Sequence, residues 1–388
     1  MIVRCLAMMR GGGETRHLAW MRELDALGVD VEMITGEPLL LGGARHPVTE
    51  SRAVVLRTPY LRDAVYRWQN TRGFGRATMT ALHLDEEWFC RAAWKHIAAE
   101  RPLPDIVHAH ALHQTARLRP VDVPVVINLP GAPHARYIDD LSAADALIAD
   151  GWAAEHLPAM LGRPVTHVPK GVDADLFSPE GPNKRVALDL NGKHVILAVG
   201  RLVPIKNVAL LVDAMPHVRA RVPSAHLVIA GDGPDRSALE QRVASQRLGD
   251  AVTFTGYVPV AELPEYYRAA DVFALPSQFD NSPNVVLEAM SVGLPVVATD
   301  VGGVRGFVER GAGGELVRPG DERELAHALA GWLESPPRRA AAATHNRRVV
   351  RERYSWRASA RALVDVYEHL LRTRGAVVRV GSGRSRHA

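Results

Sequence analysis

The sequence predicts an α/β protein made of two doubly wound parallel sheets, and three observations predict it. Short apolar runs alternate with amphipathic helical stretches through both halves of the chain, as expected when strands buried on both faces are covered by helices. At 388 residues and 47% hydrophobic content, the chain is long for one core and ample for two. The regular pattern breaks at Ser178-Pro179-Glu180-Gly181-Pro182-Asn183, a run of turn-forming residues. The expected division is an N-terminal domain over residues 1–180, a C-terminal domain over 181–354, a last helix over 355–372 and a disordered Gly, Ser and Arg tail over 373–388.

Taken in order, residues 2–8 read as a short apolar strand, followed by Gly11-Gly12-Gly13-Glu14 and a helical pattern over 17–27. Glycines ahead of a helix start let the backbone approach a ligand closely, which makes Gly12 and Gly13 candidate contacts. A turn with no ligand is the plainer alternative. Asp105-Ile106-Val107-His108-Ala109-His110 places two histidines on one side of a strand end by the two-residue period. Their spacing invites a metal, yet no cysteine or second acidic cluster lies nearby in the sequence, so His110 reads as a hydrogen-bonding or structural histidine. The strand at 124–128 runs into Leu129-Pro130-Gly131-Ala132-Pro133-His134.

In the second half, residues 195–199 read as a buried parallel strand, followed by Gly200-Arg201-Leu202-Val203-Pro204-Ile205-Lys206-Asn207 and a helix over 208–219. The chain has five lysines (Lys95, Lys170, Lys184, Lys193 and Lys206) against a large excess of arginine, so a lysine in this loop stands out. An Arg and a Lys flanking a loop at the carboxyl end of a strand suit a diphosphate, the first by its planar fork and the second as a point charge. Two solvated cations are the competing reading.

The stretch Phe279-Asp280-Asn281-Ser282-Pro283-Asn284-Val285-Val286-Leu287-Glu288-Ala289-Met290 sets two carboxylates eight positions apart across a turn and a helix start. Ser282 is expected to cap the helix and Pro283 to open it, with Gly293 and Pro295 closing it. The free N–H groups of residues 284–286 would then favour an anion such as a phosphate. Ordinary turn chemistry, with a glutamate favoured by the helix dipole, explains the same residues without a ligand.

Together these segments resemble the retaining glycosyltransferases of family 4, over most of the chain from the first strand to about residue 370. The resemblance implies the GT-B fold, two facing Rossmann-like doubly wound domains with a cleft between them. It implies that Arg201 and Lys206, with Gly200, hold a nucleoside diphosphate, and that Glu288 binds the ribose hydroxyls. Asp280 stands where the family has a sugar-contacting Glu, one methylene longer. Asn281, Ser282, Pro283, Asn284 and Val285 complete the donor-binding loop and helix start.

Further segments match in order. Val168-Pro169-Lys170-Gly171-Val172-Asp173 looks like the family's signature at the end of the first domain, with Lys170 in place of the usual Asn. Ile229-Ala230-Gly231-Asp232-Gly233-Pro234 looks like its strand-end glycine loop, and the stretch through Val258 like the one beside the nucleobase. The family's loop at Gly12 and Gly13 lies near the diphosphate and the acceptor. Its sugar-contacting His is replaced here by Pro130, with His134 as a substitute from farther along the loop and His110 as a cleft-lining residue. Residues 45–84, rich in Arg, Tyr and Trp, read as an acceptor-facing insertion or a helix packed on the first domain. In the family the terminal helix crosses back to the first domain.

The implied activity is retaining transfer of a sugar, of the hexosyl type, from a nucleoside-diphosphate-sugar to an acceptor hydroxyl. An epimerase-type nucleotide-sugar enzyme and a non-catalytic nucleotide-sugar-binding protein are the alternatives. The donor is a co-substrate, and no cofactor or protein-bound metal is implied. The acceptor is a saccharide, a lipid-linked sugar or a small natural product. A net charge of +4, with basic and acidic residues interspersed, gives no reason to expect nucleic acid. Cys5 and Cys90 are too few for a disulfide framework, and no run reaches membrane-spanning length. A cytoplasmic protein is expected, with peripheral membrane contact left open.

Overall fold

The computed structural model describes residues 1–4, 12–38, 52–58 and 76–375. Residues 5–8 of the expected first strand and 376–388 of the expected tail lie outside the described residues, as do 39–44 and, of the Arg, Tyr and Trp-rich stretch, 45–51 and 59–75. The chain divides into two compact units, Met1–Pro169 with Ser359–Ala388, and Lys170–Ala358.

In the first unit, β1 (Met33–Pro38) pairs in parallel with β2 (Ala53–Thr58). A second parallel sheet has the order β3 (Val107–His110), β4 (Val125–Leu129), β5 (Ala146–Ala149), β6 (Thr166–His167). Ile2 joins the two, bridging Ile34 on one side and Ala109 on the other. The chain's first segment thus sits centrally, with β1 and β2 to one side and β3 to β6 to the other. Helix Arg76–Ile97 packs Phe89, Ala93 and Trp94 into the same core as Ile2, Val125, Ile127 and Leu147.

The second unit carries six parallel strands in the order β12, β11, β10, β7, β8, β9. They are β7 (His194–Val199), β8 (Ala225–Ala230), β9 (Val252–Gly256), β10 (Val272–Leu275), β11 (Val296–Thr299) and β12 (Gly314–Val317). Alternation along β7 sends Ile196 and Ala198 into one core, with Leu211, Met215 and Trp332, and Val195 and Leu197 into another, with Tyr267, Phe273 and Met290. Burial on both faces is why these strands read as continuous apolar runs.

The division falls between Pro169 and Lys170, ahead of the Ser178 to Asn183 break on which the sequence reading placed it. Turn residues mark where regular structure stops, but packing decides membership. Val172 and Phe177 are buried in the second unit's core, the Val172 N–H donates to Tyr354 O at 2.8 Å, and Gly171 lies against Trp356. The last helix, Trp356–Thr373, contributes its residues from Ser359 onward to the first unit. There Tyr367 meets His108, and Arg374 pairs with Asp122 and Asp145.

Candidate functional site

In an open parallel sheet, ligands settle at the carboxyl ends of the strands where the strand order reverses. In the second unit that reversal lies between β7 and β10, the first and fourth strands of its sheet. The loops leaving those two strands are Gly200 to Asn207 and Pro276 to Pro283, the same loops the sequence singles out. They are fastened to each other, since the Gln278 N–H donates to Ile205 O at 2.8 Å.

The neighbouring strand ends support both loops by backbone contact. Gly231, after β8, has φ +156°, and a Cβ there would lie 1.8 Å from Gly200 O, so no other residue lets the two loops pack this closely. The Leu202 N–H donates to Asp232 O at 2.9 Å. Gly302, after β11, plays the same part for Asp280: a Cβ would lie 1.9 Å from Asp280 O, which accepts from the Gly303 N–H at 2.9 Å. The glycine loop read from sequence as a separate motif is therefore a buttress for the cationic loop.

Within this frame Arg201 is exposed, and among the described residues its guanidinium makes no ion pair or hydrogen bond. Lys206 ends the short 3-10 turn Pro204–Lys206, and its Nζ lies 2.6 and 2.9 Å from the two carboxylate oxygens of Asp280. Both side chains are largely shielded, at 23% and 14% exposure. Two residues expected to serve different parts of a ligand thus contact each other.

Helix Asn284–Val292 begins one residue later than the sequence reading has it. Pro283, not Ser282, is the N-cap, and Asn284 is the first helical residue. The proline has no N–H to offer and its ψ of 116° keeps it out of the helix. The Val286 N–H is taken by Pro283 O at 3.3 Å, so the N–H groups open to a ligand are those of Asn284 and Val285, not the full set from 284 to 286. Beside them, Ser282 Oγ and Asn284 Oδ1 are buried with no partner among the described residues.

One turn inward, Glu288 accepts a 2.8 Å hydrogen bond from the Tyr267 hydroxyl, which also lies 3.3 Å from Val285 O. Burial pushes the Glu288 carboxyl up to about 7, against the opposing pull of the Tyr267 hydrogen bond and the Lys170 charge. Lys170 donates to Ser282 O at 2.6 Å and so ties down the turn ahead of the helix. Tyr267 and Lys170 were missed as site residues. Tyr267 lies in a short helix (Leu263–Ala269) with no local signal of function, whereas Lys170 carried one, as the departure from the family's Asn. Val258, just past β9, buries its side chain in the core, and Gly200 takes φ +152° at the end of β7.

In the first unit the strand order reverses between the Ile2 segment and β3. Gly12 and Gly13 open the helix Gly12–Ala26, while residues 5–11 ahead of it lie outside the described residues. His110, at the end of β3, is partly buried, 3.3 Å from Asn128 Nδ2 and with its ring centroid 4.5 Å from that of His17. His108 is buried against His17, Trp20 and Tyr367, with Nδ1 2.6 Å from the Tyr367 hydroxyl, and burial holds its imidazole well below the ordinary histidine range. His134 is exposed and caps the turn Ala135–Tyr137 by accepting from the Arg136 N–H at 3.2 Å. Among the described residues no three His, Cys, Asp or Glu side chains are grouped to hold a metal.

Comparison with known proteins bears on what these loops serve. Residues 182–349 match the model of the glycosyl transferases group 1 family. A D-inositol 3-phosphate glycosyltransferase of Xylanimonas cellulosilytica is 33% identical over 309 residues, covering 74% of this chain and 71% of that protein. The chain belongs to the glycosyl transferases group 1 family. A GDP-mannose-dependent alpha-(1-6)-phosphatidylinositol monomannoside mannosyltransferase of Mycolicibacterium smegmatis is 33% identical over 211 residues, covering 52% of this chain and 55% of that enzyme. The sucrose-phosphate synthase of Thermosynechococcus elongatus superposes with a TM-score of 0.76 at 22% identity, covering 96% of this chain and 98% of its own. The two Rossmann-like units have the GT-B fold. No helix among the described residues is long and apolar enough to cross a membrane.

Proposed function

We propose that the protein transfers a hexose from a nucleoside-diphosphate-sugar to an acceptor hydroxyl with retention at the anomeric carbon. The supporting observation is that Arg201, Lys206, Asp280 and the start of helix Asn284–Val292 lie on the two loops leaving β7 and β10, where the strand order reverses. In this reading the diphosphate meets Arg201, Lys206 and the N–H groups of Asn284 and Val285. Glu288 receives the ribose hydroxyls, and the sugar lies toward Asp280.

The chemistry follows from charge. As the glycosidic bond to the diphosphate breaks, negative charge grows on the leaving oxygens and the sugar becomes oxocarbenium-like. Cations and N–H groups fixed in advance stabilise that charge without having to reorganise. The diphosphate takes the acceptor's proton on the face it is leaving, so no separate general base is assigned. Glu288 and Asp280 are not the pair of flanking carboxylates that a retaining glycosidase uses, because in this reading each is occupied by a hydroxyl-bearing part of the donor. The positive charge is supplied by the protein, and no protein-bound metal is invoked. The acceptor is a saccharide, a lipid-linked sugar or a small natural product, a range that includes the inositol-containing acceptors named for the relatives.

The test has two stages. A thermal-shift panel of UDP, GDP and ADP identifies the base, because a ligand that binds only the folded protein raises its melting temperature. The matching nucleotide sugars are then incubated with candidate acceptors and the anomeric configuration of the product is read by NMR. A donor that is consumed to give an inverted product, or no shift with any nucleotide, would remove the proposal.

A further inference from the structure

We propose that Asp280 is an internal counter-ion for Lys206: its carboxylate occupies the lysine while the site is empty, and a donor diphosphate takes the lysine over, freeing the carboxylate for the sugar. The inference rests on the donor-binding reading above and adds a coupling between its two halves.

Three observations carry it. Lys206 Nζ contacts both carboxylate oxygens, at 2.6 and 2.9 Å, and among the described residues neither side chain has another side-chain partner. The pair is not needed as a clasp, because the backbones on either side are already fixed. Gln278 is bonded to Ile205, Asp280 O is held by the Gly303 N–H against Gly302, and the Lys206 N–H donates to Val203 O at 2.9 Å. The ion pair can therefore open by side-chain rotation alone. Lastly, Arg201 on the same loop has no such partner among the described residues, so there the loop offers one open cation and one already neutralised.

A diphosphate arriving here must displace a carboxylate or sit beside it, and either costs binding energy that a neutral residue would not demand. Sugar recognition becomes conditional on diphosphate occupancy, because the carboxylate is released only when the lysine finds another anion.

Calorimetry with the nucleoside diphosphate and its sugar conjugate tests this on wild type, Asp280→Asn, Asp280→Glu and Lys206→Ala. Asp280→Asn should bind the bare diphosphate about threefold to tenfold more tightly, the equivalent of roughly one partly shielded ion pair, while gaining nothing for the conjugate. Asp280→Glu, which keeps the charge, should return the diphosphate affinity to the wild-type value. Weaker or unchanged diphosphate binding in Asp280→Asn overturns the counter-ion proposal. If no nucleoside diphosphate binds wild type, the donor-site reading itself falls. If wild type binds, Lys206→Ala loses affinity and Asp280→Asn does not gain it, only the counter-ion role is lost.

Discussion

The two units share a parallel architecture, yet they treat charge at their strand ends in opposite ways. In the first, Asp150 follows β5 and is paired with Arg16, both side chains almost wholly buried, and the Arg16 guanidinium also lies over the Trp20 ring. Around it His108 meets Tyr367, and Trp20 Nε1 donates to Ser359 Oγ at 2.8 Å. In the second, Arg201 is exposed, and Lys206 and Asp280, though largely shielded, keep 23% and 14% of their side-chain surface open to solvent. A buried ion pair of this kind serves the fold, whereas charges held near solvent on fixed loops retain capacity for a ligand. The comparison teaches that a charged residue at a strand end is not a ligand contact by position alone; what matters is whether its partner is permanent.

The largest expected effect would break that contrast on the first unit's side. Asp150→Ala leaves Arg16 charged in a buried site, and should cost about 3–5 kcal/mol of unfolding free energy. Combining Arg16→Met with Asp150→Leu should recover most of that loss, since the charge and its desolvation are removed together. Denaturant unfolding followed by circular dichroism measures both. A cost under about 1 kcal/mol for the single variant would mean that the pair behaves like a surface contact.

On the second unit's side the sign of the expectation reverses. Arg201→Ala should leave the melting temperature within a degree or so, because the side chain has no partner to lose among the described residues. It should reduce kcat/KM by about one to two decades, the worth of a charge-assisted contact of roughly 1.5–3 kcal/mol. Steady-state kinetics beside a thermal melt separates the two readouts. A clear drop in melting temperature with normal turnover would make Arg201 structural.

The smallest expected effect is a pH dependence from Glu288. Its carboxyl is raised from 4.5 to about 7 by burial, so between these values the empty protein keeps the proton that an unfolded chain would have lost. Ribose hydroxyls donate to the ionised form, and binding must expel that proton. Affinity for a nucleotide sugar should therefore rise with pH and level off above about 7, falling on the order of tenfold per unit below it. The sugar conjugate is the right probe, because its diphosphate has no second ionisation in this range. Tyr267→Phe removes one hydrogen bond to the carboxylate and should move the inflection upward. Calorimetry from pH 5.5 to 8.5 that shows a flat affinity would detach Glu288 from the ligand.

Much of the second unit was legible because its signals are local. The run over residues 195–199, the loop with Arg201 and Lys206 and the helix after it follow from hydrophobic period and turn chemistry within some twenty-five residues, and the structure reproduces them as β7 and helix Val208–Arg221. The helix start at Asn284 is ambiguous by one residue in the sequence because Ser282 and Pro283 both suit a cap, and only the backbone path selects between them. Lys170 stands out in the sequence only as a departure from the family's Asn, since its contact with Ser282 spans 112 residues.

By itself, the sequence determined the α/β class, the alternation of strands and helices, and the loops that carry the charges, because each is encoded in neighbouring residues. Tertiary structure alone decided the strand order that brings the loops after β7 and β10 to one crevice, the pairing of Lys206 with Asp280 across 74 residues and of Arg16 with Asp150 across 134. A charge written in a sequence carries no record of its partner or its solvent. Packing supplies both, and with them the difference between a residue that holds the fold together and one that remains available to a ligand.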